Sequence, residues 1–148
     1  MGFWRPPGSM EAALAVLDDA ATVIDIDPAR VYGLGLSNGG LVLSQLGRDH
    51  PDRLRGLIYL SPVMPAGIVD QAPFQTNWQG RPVLVITGET DRRIPLDYLH
   101  ARLASLEQAG VALQTIVYPG EDHFLFFSQK DAVLADIAAW LKTQLAKS

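Results

Sequence analysis

Val31-Tyr32-Gly33-Leu34-Gly35-Leu36-Ser37-Asn38-Gly39-Gly40 decides the fold. The run begins as an apolar strand, ends at a glycine, turns at a serine and opens a helix. Gly35-Leu36-Ser37-Asn38-Gly39 follows the pattern G-x-S-x-G. In that pattern a serine sits in a strained strand-to-helix turn, with its hydroxyl projecting above a sheet. Gly35 and Gly39 are expected to spare the packed strand and helix a crowding Cβ. The turn would deliver Ser37 to the start of a helix, where the free backbone N–H of Asn38 can stabilise an oxyanion.

Outward from that turn, strand-like and helix-like segments alternate. A helix is expected from Ser9, as N-cap, to about Asp25, with Ala13, Leu14, Leu17, Ala21 and Ile24 as its apolar stripe. Before it, Pro6-Pro7-Gly8 favours an extended entry. The strand at 31–36 is followed by a helix from Asn38 to about Arg48. Leu54 to Leu60 reads as a second strand. Residues 61–80 have a weak pattern, as long functional or partner-covered connections often do. Pro82 to Thr87 is a third strand, Pro95 to Ala109 a helix and Ala112 to Tyr118 a fourth strand. A last helix runs from about Gln129 to Leu145, with Val133, Ile137, Trp140 and Leu141 on its apolar face. Near-continuous apolar strands alternating with helices predict an α/β fold with a parallel sheet. With the strands in sequential order, right-handed crossovers put the second and third helices on one face. The last helix then covers the other face over the later strands only.

Composition bounds the function. The chain has 148 residues, 48% of them hydrophobic and 19% charged, which suits one globular domain spanning 1–148. A net charge of −4 argues against nucleic acid or an anionic membrane as partner. Cysteine is absent, so there is no thiolate nucleophile and no cysteine metal site, and the three histidines lack ligand spacing. No metal or cofactor is expected. The first residues lack the apolar run of a signal peptide, and cytoplasmic localisation is the expectation.

Two further segments follow strand ends. Gly88-Glu89-Thr90-Asp91 closes the third strand, and Tyr118-Pro119-Gly120-Glu121-Asp122-His123 closes the fourth. The C-terminal ends of parallel strands form one crevice, so Ser37, Asp91 and His123 can converge. A serine needs a base to remove its proton, histidine is that base near neutral pH, and a carboxylate orients the imidazole. Asp91 can also be read as a turn cap, with Glu89, Asp97 and Asp122 as rival acids. His50 suits a helix end, His100 a surface, and Arg92 and Arg93 solvent. Met64, Ile94 and Phe124, together with Phe3 and Trp4, are either walls of an acyl site or ordinary core.

In the chain order Ser…Asp…His, these segments resemble the C-terminal part of the α/β-hydrolase superfamily. The resemblance rests on Gly35 to Gly40, His50-Pro51-Asp52-Arg53, Gly88 to Asp91 with Ile94-Pro95, and Tyr118 to His123. Carboxylesterase/phospholipase-type and dienelactone-hydrolase-type branches are the most similar. The resemblance implies Ser37 as nucleophile, Asp91 as acid and His123 as base. It also implies a truncated hydrolase of about four parallel strands with flanking helices, since the superfamily usually has about four more strands before the first helix. The second oxyanion donor is then expected from Gly2 to Trp4 or from a partner subunit. The implied function is a serine esterase acting on small carboxylic esters; the alternative is a non-catalytic hydrolase-like module. The first strand becomes a sheet edge, which predicts self-association as a homodimer or higher homo-oligomer, with Gly33 allowing close backbone approach.

Overall fold

A computed structural model describes residues 8–147. Its centre is a four-stranded sheet in the order β1 (Tyr32–Leu36), β2 (Gly56–Leu60), β3 (Pro82–Gly88), β4 (Ala112–Tyr118). All three pairings are parallel, with Leu36 beside Leu60 and Leu60 beside Ile86. The expected sheet and strand order therefore hold. β2 and β3 are buried along their whole lengths, as apolar strands covered on both faces must be.

Alternation along each strand divides the core in two. On one face, Leu57, Tyr59, Val83 and Val85 meet Leu43 and Leu46 of α2 (Gly39–Asp49) and Leu99, Leu103 and Leu106 of α5 (Leu96–Gln108). On the other face, Ile58, Leu60, Leu84 and Ile86 meet Val133, Ile137 and Trp140 of α7 (Lys130–Leu145). The helix positions expected from right-handed crossovers are thus observed. α7 reaches further than expected, because the Trp140 ring meets Tyr32 of β1 edge-on at 5.8 Å. Leu34 of β1 stays 52% exposed.

Residues 61–80 form two short helices, α3 (Ala66–Val69) and α4 (Ala72–Trp78), where an irregular connection was expected. Each is too short to show a helical repeat. Their apolar residues are core: Ile68, Val69, Phe74 and Trp78 are buried against the α2 face. Trp78 Nε1 donates to Gly47 O at 2.8 Å, and a Cβ on Gly47 would meet Phe74 and Trp78 at 2.9 Å. A further short helix, α6 (Leu125–Ser128), precedes α7.

α1 (Ser9–Val23) departs most from its sequence pattern. Gly8, with φ 102°, is its N-cap instead of Ser9. It has no buried residue; Leu14 and Leu17 are half-buried, whereas Ala13, Ala21 and Ile24 are exposed. The physical reason is position. α1 packs on α2 beside β1, and no described strand lies beyond β1 to receive the rest of its stripe.

Candidate active site

The serine turn is built by crowding. Ser37 has φ 51°, a left-handed conformation that costs an L-residue on the order of 1–2 kcal/mol and is held by its surroundings. Its N–H donates to Leu60 O at 2.9 Å, and its carbonyl accepts from Val63 N–H at 2.9 Å. The turn is thereby tied to the end of β2. A Cβ on Gly35 would lie 2.6 Å from Gly39 O, and one on Gly40 would lie 2.6 Å from Val63 O. A Cβ on Gly39 would meet nothing within 4 Å, so the glycines that this turn needs are Gly35 and Gly40, not Gly39. Beneath the turn, Ser44 Oγ donates to Gly40 O and pairs with the buried Tyr59 hydroxyl, which braces the first turns of α2 against β2.

Asp91 and His123 come from two loops laced together. Glu89 N–H donates to Tyr118 O, Thr90 N–H and Oγ1 both donate to Glu121 O, and Gly120 N–H donates to Glu89 Oε2. A Cβ on Gly88 would lie 2.4 Å from Glu121 O and 2.6 Å from Asp122 O. Gly88 thus lets the second loop lie directly on the end of β3. Its place one residue past the third predicted strand was the available sequence signal.

These supports bring Ser37, Asp91 and His123 together. Ser37 Oγ lies 2.9 Å from His123 Nε2, and His123 Nδ1 lies 2.8 Å from Asp91 Oδ2. The Asp91 side chain is fully buried and that of His123 is 11% exposed. Asp91 Oδ1 accepts the N–H groups of Arg93 and Ile94, both at 2.8 Å. The turn-cap and imidazole-partner readings of Asp91 therefore both describe it, one for each oxygen. Two of its rivals are occupied elsewhere: Glu89 on Gly120 N–H, and Asp122 on Phe124 N–H at 2.8 Å.

The remaining candidates divide. Asn38 follows Ser37 and occupies the N-cap position of α2, and its backbone N–H donates to no described residue. Phe124 is 48% exposed, and its ring meets the His123 imidazole edge-on at 5.9 Å. Met64 is fully buried in the α2-face core, with its N–H and carbonyl both bonded to the Tyr98 hydroxyl, so it does not line the cleft. Ile94 also packs against that core. Trp4 and the segment Gly2 to Trp4 lie outside the described residues. A Cβ on Gly33 would meet Leu43 and Leu54, so this glycine gives room to those side chains. A cleft of about 380 Å³ at the serine turn is lined by Ser9, Leu36, Ser37, Asn38, Gly39 and Val42. Among the described residues no group of histidines and carboxylates could hold a metal ion, and no helix is long and apolar enough to cross a membrane.

A parallel sheet with a strand–serine–helix turn at its C-terminal rim defines the α/β-hydrolase superfamily, and the comparisons support its carboxylesterase-like branch. The chain belongs to the prolyl oligopeptidase family, whose sequence profile matches residues 67–148. It is 31% identical to the putative esterase NocK of Nocardia uniformis subsp. tsuyamanensis over 105 residues, 71% of this chain and 29% of that protein. Its identity to a probable carboxylesterase SOBER1-like protein of Arabidopsis thaliana is 26%, over 96% of this chain and 55% of that one. The crystal structure of Arabidopsis thaliana SOBER1 superposes with a TM-score of 0.70 at 27% identity, covering 92% of this chain and 62% of that chain. The chain therefore spans less than two thirds of the length of each of these relatives.

Proposed function

We propose that this protein is a serine esterase acting on small carboxylic esters through an acyl-enzyme. The observation that carries this reading is the unbroken hydrogen-bonded series from Ser37 Oγ through His123 to the buried Asp91. The esterase relatives support the same class. His123 Nε2 takes the Ser37 proton as Oγ attacks the ester carbonyl, and Asp91 stabilises the resulting imidazolium. The Asn38 N–H, at the start of α2, receives the oxyanion. His123 then protonates the leaving alcohol as the C–O bond breaks, and next activates the water that hydrolyses the acyl-Ser37 ester. The cleft beside Leu36 and Val42 suits a short acyl group. A second oxyanion donor, from the segment before residue 8 or from another subunit, would add about 3–4 kcal/mol of transition-state stabilisation.

The reading extends to self-association. Among the described residues β1 is a sheet edge with Leu34 exposed, and Val16 and Val23 of α1 and the following Ile24 are exposed as well. An open apolar groove between α1, β1 and α2 includes Leu14, Leu17, Val42 and Leu46. Such an edge favours pairing or cover by another copy. Sedimentation at micromolar concentration is expected to give a dimer or larger species; an active monomer contradicts this part. The chemistry is tested by hydrolysis of p-nitrophenyl acetate. Turnover by the wild type that disappears in Ser37→Ala is the expected result. No turnover by the wild type would favour a non-catalytic module.

A further inference from the structure

Beside the His123 imidazole lies a surface that the chemistry above does not use. The Phe124 ring meets the imidazole on one side, and the Arg93 guanidinium sits over the same ring at 5.0 Å from its centre. Phe127, 68% exposed, adjoins Phe124 at 6.4 Å. The backbone of Arg93 is fixed, because its N–H donates to Asp91 Oδ1. Its charge, however, has no partner: neither Arg92 nor Arg93 forms an ion pair with a described carboxylate. The acids of the neighbouring loops have other donors. Glu89 accepts from Gly120 N–H, Glu121 from Ser128 and Gln129, and Asp122 from Phe124 N–H. An exposed arginine stacked on an aromatic ring keeps its edge N–H groups free, in a planar fork that fits a carboxylate or phosphate.

Resting on the esterase reading, we propose that Arg93 selects esters whose leaving alcohol carries an anionic group. The direction follows from the chemistry of His123. Its Nε2 proton passes to the leaving oxygen as the C–O bond breaks, so the alcohol must lie on the imidazole side of Ser37. The Phe124 ring lies against that imidazole, and the Arg93 guanidinium lies over the same ring. The acyl group then points toward the cleft at Leu36 and Val42. An aryl ring in the alcohol can lie against Phe124 and Phe127 while its carboxylate or phosphate meets the guanidinium.

The test compares 4-acetoxybenzoate with its methyl ester, which differ in the charge on the leaving phenol. The ratio of kcat/KM for the anionic ester to that for the neutral one is measured in wild type and in Arg93→Met, which keeps an apolar stem against Phe124 without the charge. The ratio is expected to fall by about tenfold, the effect of one charge-assisted hydrogen bond. It should also fall in the wild type as salt is raised. An unchanged ratio in Arg93→Met overturns the proposal and leaves Arg93 as packing for Phe124. Binding is read separately by NMR titration of 4-hydroxybenzoate into Ser37→Ala, with and without Arg93→Met. About tenfold weaker binding in the double variant supports the anion site, and equal binding overturns it. If neither ester is turned over, the esterase reading fails while the titration still decides the role of Arg93.

Discussion

Ser37 is placed by a strand-to-helix turn tied to the end of β2, whereas Asp91 and His123 are placed by each other's loops. The serine turn needs β1, α2, the end of β2 with Val63, and the missing side chains of Gly35 and Gly40. Asp91 and His123 need two strands that pair only after the crossover through α5, then Gly88, then the bonds between residues 88–90 and 118–121. A serine turn held by β1, α2 and the end of β2 survives small shifts of β3 against β4. A base held by a distant loop does not, since misplacing a reacting group by about 1 Å can lower a rate by about 100-fold. The two halves of the site should therefore fail differently.

The largest effect is expected where both halves are made idle. Ser37→Ala should lower kcat for p-nitrophenyl acetate by about a millionfold with the fold intact, as judged by circular dichroism. Next, Asp91→Asn should lower kcat by about ten-thousandfold, because an amide donates where the carboxylate accepted and favours the wrong imidazole tautomer. A smaller loss tests the lacing of the loops. Gly88→Ala places a Cβ against two backbone carbonyls, so it should push His123 away from Ser37 and reduce kcat by about 100-fold. That variant should still contain the serine turn, and a crystal structure would show Ser37 unmoved. The smallest effect separates the two glycines of the motif by thermal or urea unfolding. Gly35→Ala should destabilise the fold by about 1–3 kcal/mol through overpacking. Gly39→Ala, in open space at the start of α2, should cost nothing or stabilise by up to about 1 kcal/mol.

The same contrast explains what the sequence made legible. The four strands, their order and the buried face of α7 follow from apolar periodicity, and the structure agrees with each. Ser37, Asp91 and His123 could be proposed because each follows a strand end. What sequence did not reveal was held by shape. α3 and α4 are too short for a helical repeat, so Phe74 and Trp78 gave no hint that they fill the core against Gly47. Met64 looked available for a cleft, but Tyr98, 34 residues away, fixes its backbone inside the core. Gly39 carries the motif without the steric need, while Gly40 and Gly88 carry that need outside it. α1 has a plausible apolar stripe, yet burial depends on what lies across from it, and no described strand lies beyond β1.

The central claim is that Ser37 is a nucleophile activated by His123. It is tested most directly by treating the protein with a fluorophosphonate and locating the adduct by peptide mass spectrometry. One phosphonyl group on Ser37 in the wild type, and none in His123→Ala at the same exposure, is the predicted result. Labelling that spares Ser37, or that proceeds equally well without His123, would contradict the account.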